Sequence, residues 1–188
     1  MKNKITEQSI LLFQKKGFSE TSIQDIVDAL GVTKGTFYYY FSSKEELLKD
    51  IQLGYINELL EEQEEIIAKK DINCKTKLFE ILYLLLRNID KNGASAKVFF
   101  REMINLSDQY LAQIIPKRDQ FRINIQEVLQ EGKNRGEFRS DLSIDITTFG
   151  ILGMVNWSYQ WFNPTGTLSE QEVANIYIDM ILNGINSK

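Results

Sequence analysis

Apolar residues recur along this chain at three- and four-residue spacings and almost nowhere at two, the period of amphipathic helices. Ile5, Ser9, Leu12 and Phe13 fall on one face of a first helix that Gly17 ends. Ile23, Ile26, Val27 and Leu30 form the stripe of a second, opened by Thr21 with Gln24 as its capping-box partner and closed by Gly31. Thr33 caps a short third helix over Lys34 to Tyr40. Ser43 with Glu46 reads as another capping box, opening a long fourth helix to about Ala68. Leu78, Leu82, Leu85, Leu86 and Ile89 give a fifth, stopped near Asn92-Gly93. A sixth runs from Ser95 to Leu106, and a seventh from Gln109 to Gly136, broken or kinked at Pro116. The stretch from Ile144 to Phe162 is apolar nearly all round and needs cover on both sides. After the Asn163–Gly166 turn, Ser169 and Glu172 cap a last helix with the stripe Val173, Ile176, Tyr177, Met180, Ile181 and Ile185. With no strand-period segment of useful length, the fold class is all-α, with about nine helices.

Composition narrows the chemistry. The 188 residues contain no histidine and one cysteine, Cys74. Imidazole catalysis, histidine zinc sites, disulfide frameworks and cysteine metal sites are therefore excluded, and no metal is expected. The pattern offers no embedded acid pair, phosphate-binding glycine loop or nucleophile–base set, so no enzyme is expected. The longest apolar run, Ile81 to Leu86, is far short of the roughly 20 residues that span a bilayer. No signal-peptide apolar region follows Met1–Ile5, and a soluble cytoplasmic protein with no membrane partner is expected. The net charge is −4, yet residues 1–44 carry six lysines against four acids. The amino-terminal end is the locally basic one.

Residues 21–44 carry the functional signal. Two short helices meet through Gly31-Val32-Thr33, the spacing of a helix-turn-helix whose second helix enters the major groove. Ser22, Gln24, Thr33, Lys34, Gly35, Thr36, Tyr38, Tyr39, Tyr40 and Lys44 are the candidate DNA-binding residues. Hydroxyls, a cation and a close backbone approach sit near one helix start, where exposed N–H groups favour phosphate. Phe37, Phe41, Ile23 and Val27 are assigned to the core. Gln24 serves either as capping partner or as DNA contact, and Tyr40 either packs on the first helix or meets phosphate. Lys15 and Lys16 are read as solvated surface.

The residues Thr21-x-Ile23-x-Asp25-Ile26, Leu30-Gly31-Val32-Thr33-Lys34-Gly35-Thr36-Phe37-Tyr38-Tyr39-Tyr40-Phe41 and Ser43-Lys44-Glu45, with Gly17-Phe18 before them, resemble the amino-terminal domain of the TetR family of bacterial transcription repressors. The resemblance covers roughly residues 5–50. Gln24 stands where the family often has arginine, and Tyr40 where histidine is common. The resemblance implies a DNA-binding domain over residues 1–46 and a ligand-binding and dimerisation domain over 47–188. It also implies a homodimer on a pseudo-palindromic double-stranded DNA operator, released by a small-molecule effector. Half-sites about 34–36 Å apart demand two recognition helices at fixed separation. Val173, Ile176, Tyr177, Met180 and Ile181 are the candidate dimer stripe, preferred over an intramolecular core. Phe79, Tyr83, Phe99, Phe100, Met103, Phe121, Phe149 and Trp157 are the candidate ligand-binding residues, with plain core packing as the competing reading.

The run Asn156–Gly166 resembles the same region of TetR-type regulators that respond to acyl-CoA thioesters. No cofactor is expected beyond such an organic effector, a fatty acyl-CoA or other hydrophobic small molecule. Arg118 and Arg122 either meet its anionic groups or pair with Glu102 and Asp119. In the expected mechanism the effector binds a state with wrongly spaced DNA-binding domains, and the fourth helix acts as lever. The alternative is a helical interaction protein with a vestigial DNA-binding domain.

Overall fold

Capping chemistry and glycine set the limits of the first helices. In the computed structural model, which describes residues 1–185, α1 covers Lys2–Lys16 and buries Ile5, Ser9 and Phe13. The Gly17 N–H closes it on Phe13 O at 2.9 Å. α2 covers Ile23–Leu30 and ends in a left-handed Gly31 (φ 62°). There the Gly31 N–H bonds Asp28 O and the Val32 N–H bonds Val27 O, which fills carbonyls the helix end leaves open. α3 covers Lys34–Tyr40, and the Thr33 hydroxyl accepts from the Thr36 N–H. The remaining helices are α4 (Lys44–Ala68), α5 (Cys74–Arg101), α6 (Asp108–Asn134), α7 (Ile144–Trp161) and α8 (Glu170–Asn183), with a 3₁₀ turn at Met103–Asn105. Among the described residues every regular element is helical, so the class is all-α as expected.

Two capping expectations change in detail. The α2 capping box is Ser22–Asp25, not Thr21–Gln24. Thr21 is fully buried and its hydroxyl donates to Gly17 O at 2.7 Å, so it is unavailable as a cap. At the start of α4 the box is split: Ser43 Oγ accepts from the Glu46 N–H, while the Glu46 carboxylate reaches past it to the N–H and hydroxyl of Ser42. The expected stop near Asn92-Gly93 is present: Asn92 is non-helical (φ −129°, ψ 32°) and separates two helical halves of α5, the fifth and sixth expected helices. α6 runs through Pro116 without ending. Pro116 and Ala112 are both exposed, so the carbonyl that loses its helical donor faces water.

By packing, the chain forms two units: Met1–Asn57 with Asn92–Lys117, and Glu58–Lys91 with the residues from Arg118 on. Packing does not change over at residues 46 and 47, because α4 carries the first core onward. That core joins Ile5, Phe13, Ile26, Val27, Phe37, Phe41, Leu47, Leu48 and Ile51 to Val98, Leu106 and Ile114. The Gln52 amide spans the same unit, donating to Val98 O at 3.2 Å. Glu45 accepts from the Ser107 N–H at 2.7 Å, placing a carboxylate at the positive end of α6. In the second unit Leu78, Leu82, Ile125, Leu129, Ile151 and Val155 are buried. Its α7 turns Thr148, Ile151, Val155 and Ser158 inward.

Candidate nucleic-acid interface

The α2–turn–α3 segment is anchored by rings that leave its polar side free. Phe37 and Phe41 are buried, with centroids 5.6 Å apart. Val27 is buried and Ile23 packs against the same core. Burying each phenyl ring contributes about 2–3 kcal/mol, far more than any surface contact on α3, so the core side of the short helix is fixed. What remains outside is Thr33, Lys34, Gly35, Tyr38 and Tyr39, all exposed; Tyr39 reaches 81%. Thr36 is half-buried, its hydroxyl 3.3 Å from that of Thr33. Tyr40 is half-buried against the core and meets Tyr39 edge-on at 4.9 Å. Lys34 makes no ion pair among the described residues, and neither does Lys4 or Lys15. Lys16 pairs with Asp25 at 2.9 Å.

The first turn of α2 adds Ser22 and Gln24, both exposed. Ser22 caps the helix, and its hydroxyl and N–H both donate to Asp25 Oδ2 at 2.7 Å. With the Lys16 ammonium also beside it, the Asp25 carboxyl lies well below the usual range. Gln24 donates to Asp28 at 2.6 Å, an i,i+4 pair along the helix surface. Lys44 is bonded within its own chain. Its ammonium lies 2.6 Å from Phe18 O and 2.5 Å from Thr21 O. Sequence reasoning missed this clasp and the Ser22–Asp25 cap. Ser-x-x-Asp at 22–25 is a cap signature one residue along from the one chosen, whereas no local pattern shows the clasp, whose partners lie 23 and 26 residues away.

The remaining candidates are distributed over both packing units. Phe99, Phe100 and Met103 belong to the first unit, where Phe99 lies tilted against Tyr55 at 4.7 Å and meets Phe100 edge-on at 5.3 Å. Phe79, Tyr83, Phe121, Phe149 and Trp157 belong to the second. Phe79 and Tyr83 are parallel at 6.2 Å and half-buried, and Phe121 is buried. Phe149 and Trp157 are instead on the surface of α7, because its inward face is the one carrying Thr148, Ile151, Val155 and Ser158. Near Phe121 an amide chain runs from exposed Gln120 through buried Asn124 to buried Gln63, which donates to Phe121 O at 3.0 Å. Arg122 pairs with Asp119 at 3.2 Å and lies over the Phe149 ring.

On α8, Ile176 and Met180 are exposed, and Ile181 is half-buried. The Tyr177 hydroxyl lies 3.0 Å from Ser158 Oγ. Val173 is buried within its own chain. Among the described residues no helix is long and apolar enough to cross a membrane, and no group of three acidic or thiol side chains is placed to hold a metal.

Residues 5–51 match the family described as bacterial regulatory proteins, tetR family, and residues 71–185 match the Tetracyclin repressor-like, C-terminal domain. The chain is 27% identical to the HTH-type transcriptional repressor KstR2 of Rhodococcus jostii, across 94% of this chain and 86% of that one. Its fold is similar to the crystal structure of the TetR family transcriptional regulator PfmR from Thermus thermophilus, with TM-score 0.90, 31% identity and coverage of 97% and 99% of the two chains. It is also similar to the structure of the ketosteroid transcriptional regulator KstR2 of Mycobacterium tuberculosis, with TM-score 0.89, 26% identity and coverage of 100% and 95%. The chain belongs to the TetR family and is a helix-turn-helix DNA-binding transcriptional regulator.

Proposed function

We propose that the protein is a cytoplasmic repressor that binds a pseudo-palindromic operator as a homodimer and leaves it when a small apolar or amphipathic organic effector binds. The observation that carries this reading is the two-sided build of α3: its phenyl rings are sunk in the core while Thr33, Lys34, Gly35, Tyr38 and Tyr39 face outward. Such a surface supplies hydroxyl and ammonium donors to phosphate and base edges. Ser22 and Gln24 extend it along α2. The two-fold face is assigned to exposed positions of α7 and α8, namely Phe149 and Trp157 on α7 and Ile176 and Met180 on α8. Phe79, Tyr83 and Phe121 are the effector candidates that remain, with the Gln63–Asn124 amides as polar partners. A fatty acyl-CoA or a steroid-like acid fits such a lining, and the kinship with a ketosteroid regulator favours that class. The protein acts by differential binding of two ligands and carries out no chemistry on either.

The test is selection of duplexes from a random pool by the full chain, followed by titration at several salt concentrations. The selected sequence is expected to be a two-fold repeat with half-sites about one helical turn apart. Lys34→Gln is expected to weaken binding and to flatten the plot of log affinity against log salt by about 0.9. Selection of no duplex, or of sequences without a repeat, would refute the reading and favour a helical interaction protein.

A further inference from the structure

Lys44 occupies the first position of α4, where the positive end of the helix disfavours a cation. Its surroundings reverse that penalty. The ammonium bonds Phe18 O and Thr21 O at 2.6 and 2.5 Å and sits 4.2 Å from the centroid of the Phe18 ring. Phe18 O lies just past the carboxyl end of α1, where the helix dipole is negative, and Thr21 O just before the Ser22 cap of α2. Burial lowers the pKa of the ammonium, opposed by Asp25 and Glu20.

The acceptors are themselves tied. Phe18 O also receives the Thr21 N–H at 3.2 Å, and the buried Thr21 hydroxyl donates to Gly17 O. The next residue, Ser22, is the cap of α2. Gly17, Phe18, Thr21 and Ser22 thus form one bonded turn with Lys44 at its centre. Lys34 contrasts with it, exposed on α3 and without an ion-pair partner among the described residues.

We propose that Lys44 is a positioning residue for DNA recognition: its ammonium, held by the Phe18 and Thr21 carbonyls and the Phe18 ring, fixes the α1–α2 turn and so aims Ser22 and Gln24, and it makes no phosphate contact. The site suits a compact point donor. A guanidinium spreads its donors over a plane and does not reproduce two short bonds from one nitrogen beneath a ring. On phosphate, by contrast, arginine replaces lysine well.

The proposal rests on the DNA-binding reading. It is tested with the full chain and the duplex that the wild type selects, at a temperature where circular dichroism shows each variant folded. Lys44→Gln is expected to lower affinity about tenfold, the scale of losing hydrogen bonds to a charged group. Its salt slope stays at the wild-type value, and its preference for the selected duplex over a scrambled one falls. Lys44→Arg is expected to be equally impaired.

A slope reduced by about 0.9 in Lys44→Gln, with both slope and affinity restored in Lys44→Arg, would establish a phosphate contact and overturn the proposal. Wild-type affinity and preference in a folded but less heat-stable Lys44→Gln would leave only a role in stability and overturn it equally. Should Lys44→Gln not fold, Phe18→Leu removes the ring without changing charge. It is expected to lose affinity severalfold at unchanged slope, and undiminished affinity there overturns the proposal. A wild type that selects no duplex fails at the earlier step, which separates failure of the DNA-binding reading from failure of the role given to Lys44.

Discussion

Asp25 holds the entry to α2 through three donors: the Ser22 hydroxyl, the Ser22 N–H and the Lys16 ammonium. Because its folded pKa is depressed, the stability it contributes is complete above its unfolded value near 3.9 and is lost as pH falls toward the folded value. The difference in melting temperature between wild type and Asp25→Asn is therefore expected to be constant from about pH 8 to 5 and to shrink below about pH 4. Melts across that range check it, and a gap that widens in acid would contradict the assignment. Ser22→Ala is expected to cost about 1 kcal/mol at neutral pH, read from urea unfolding. The sequence shows two overlapping caps here, Thr21-x-x-Gln24 and Ser22-x-x-Asp25. Tertiary packing chooses between them by burying Thr21 against Gly17, a fact that no local pattern contains. At Ser169–Glu172 there is no competitor, and the cap expected from sequence is the one formed.

At the scale of elements, helix positions are legible because each apolar stripe repeats several times, whereas breaks depend on single residues. Asn92-Gly93 reads as a stop, and Asn92 is indeed non-helical, with helix on either side of it. Pro116 reads as a break or a kink, and the helix continues through it at an exposed position. Gly132 in α6 carries a constraint that composition hides. A Cβ there would lie 2.2 Å from a Phe138 ring carbon and 3.0 Å from Cys74 Cβ. The glycine lets the half-buried ring close over the helix and over Cys74, whose thiol pKa burial pushes up to about 11. Alanine in a helix gains about 0.8–1.0 kcal/mol over glycine, while forcing a ring from its seat costs about 1–3 kcal/mol. Gly132→Ala is accordingly expected to be net destabilising by up to about 2 kcal/mol. Phe138→Leu in the same chain should recover most of the loss, and stabilisation by Gly132→Ala alone would show that the ring is free to swing aside.

For the whole molecule the decisive surface is the outer side of α7. Ile146, Phe149, Trp157 and Trp161 are 71%, 57%, 63% and 49% exposed, with Gly150 and Gly153 exposed between them. These positions recur at three- and four-residue steps and so share one side of the helix. The sequence shows that this helix is apolar all round, but not which half faces its own core. Thr148 and Ser158 decide it, each turned inward with a bonded hydroxyl. An apolar stripe of this size on a globular chain marks an interface, and reading two half-sites at once requires a two-fold pair. In a two-fold interface each residue occurs twice, so one introduced charge places two unpaired charges against apolar surface or against each other. Phe149→Asp and Trp157→Asp are each expected to give monomers by sedimentation at micromolar concentration. Their helical content should be unchanged, because both side chains are more than half exposed within one chain. Affinity for the full two-fold duplex should fall by orders of magnitude while affinity for an isolated half-site holds. A Trp157→Asp protein that stays dimeric would move the interface to another face of the molecule and return Phe149 and Trp157 to the candidate effector contacts.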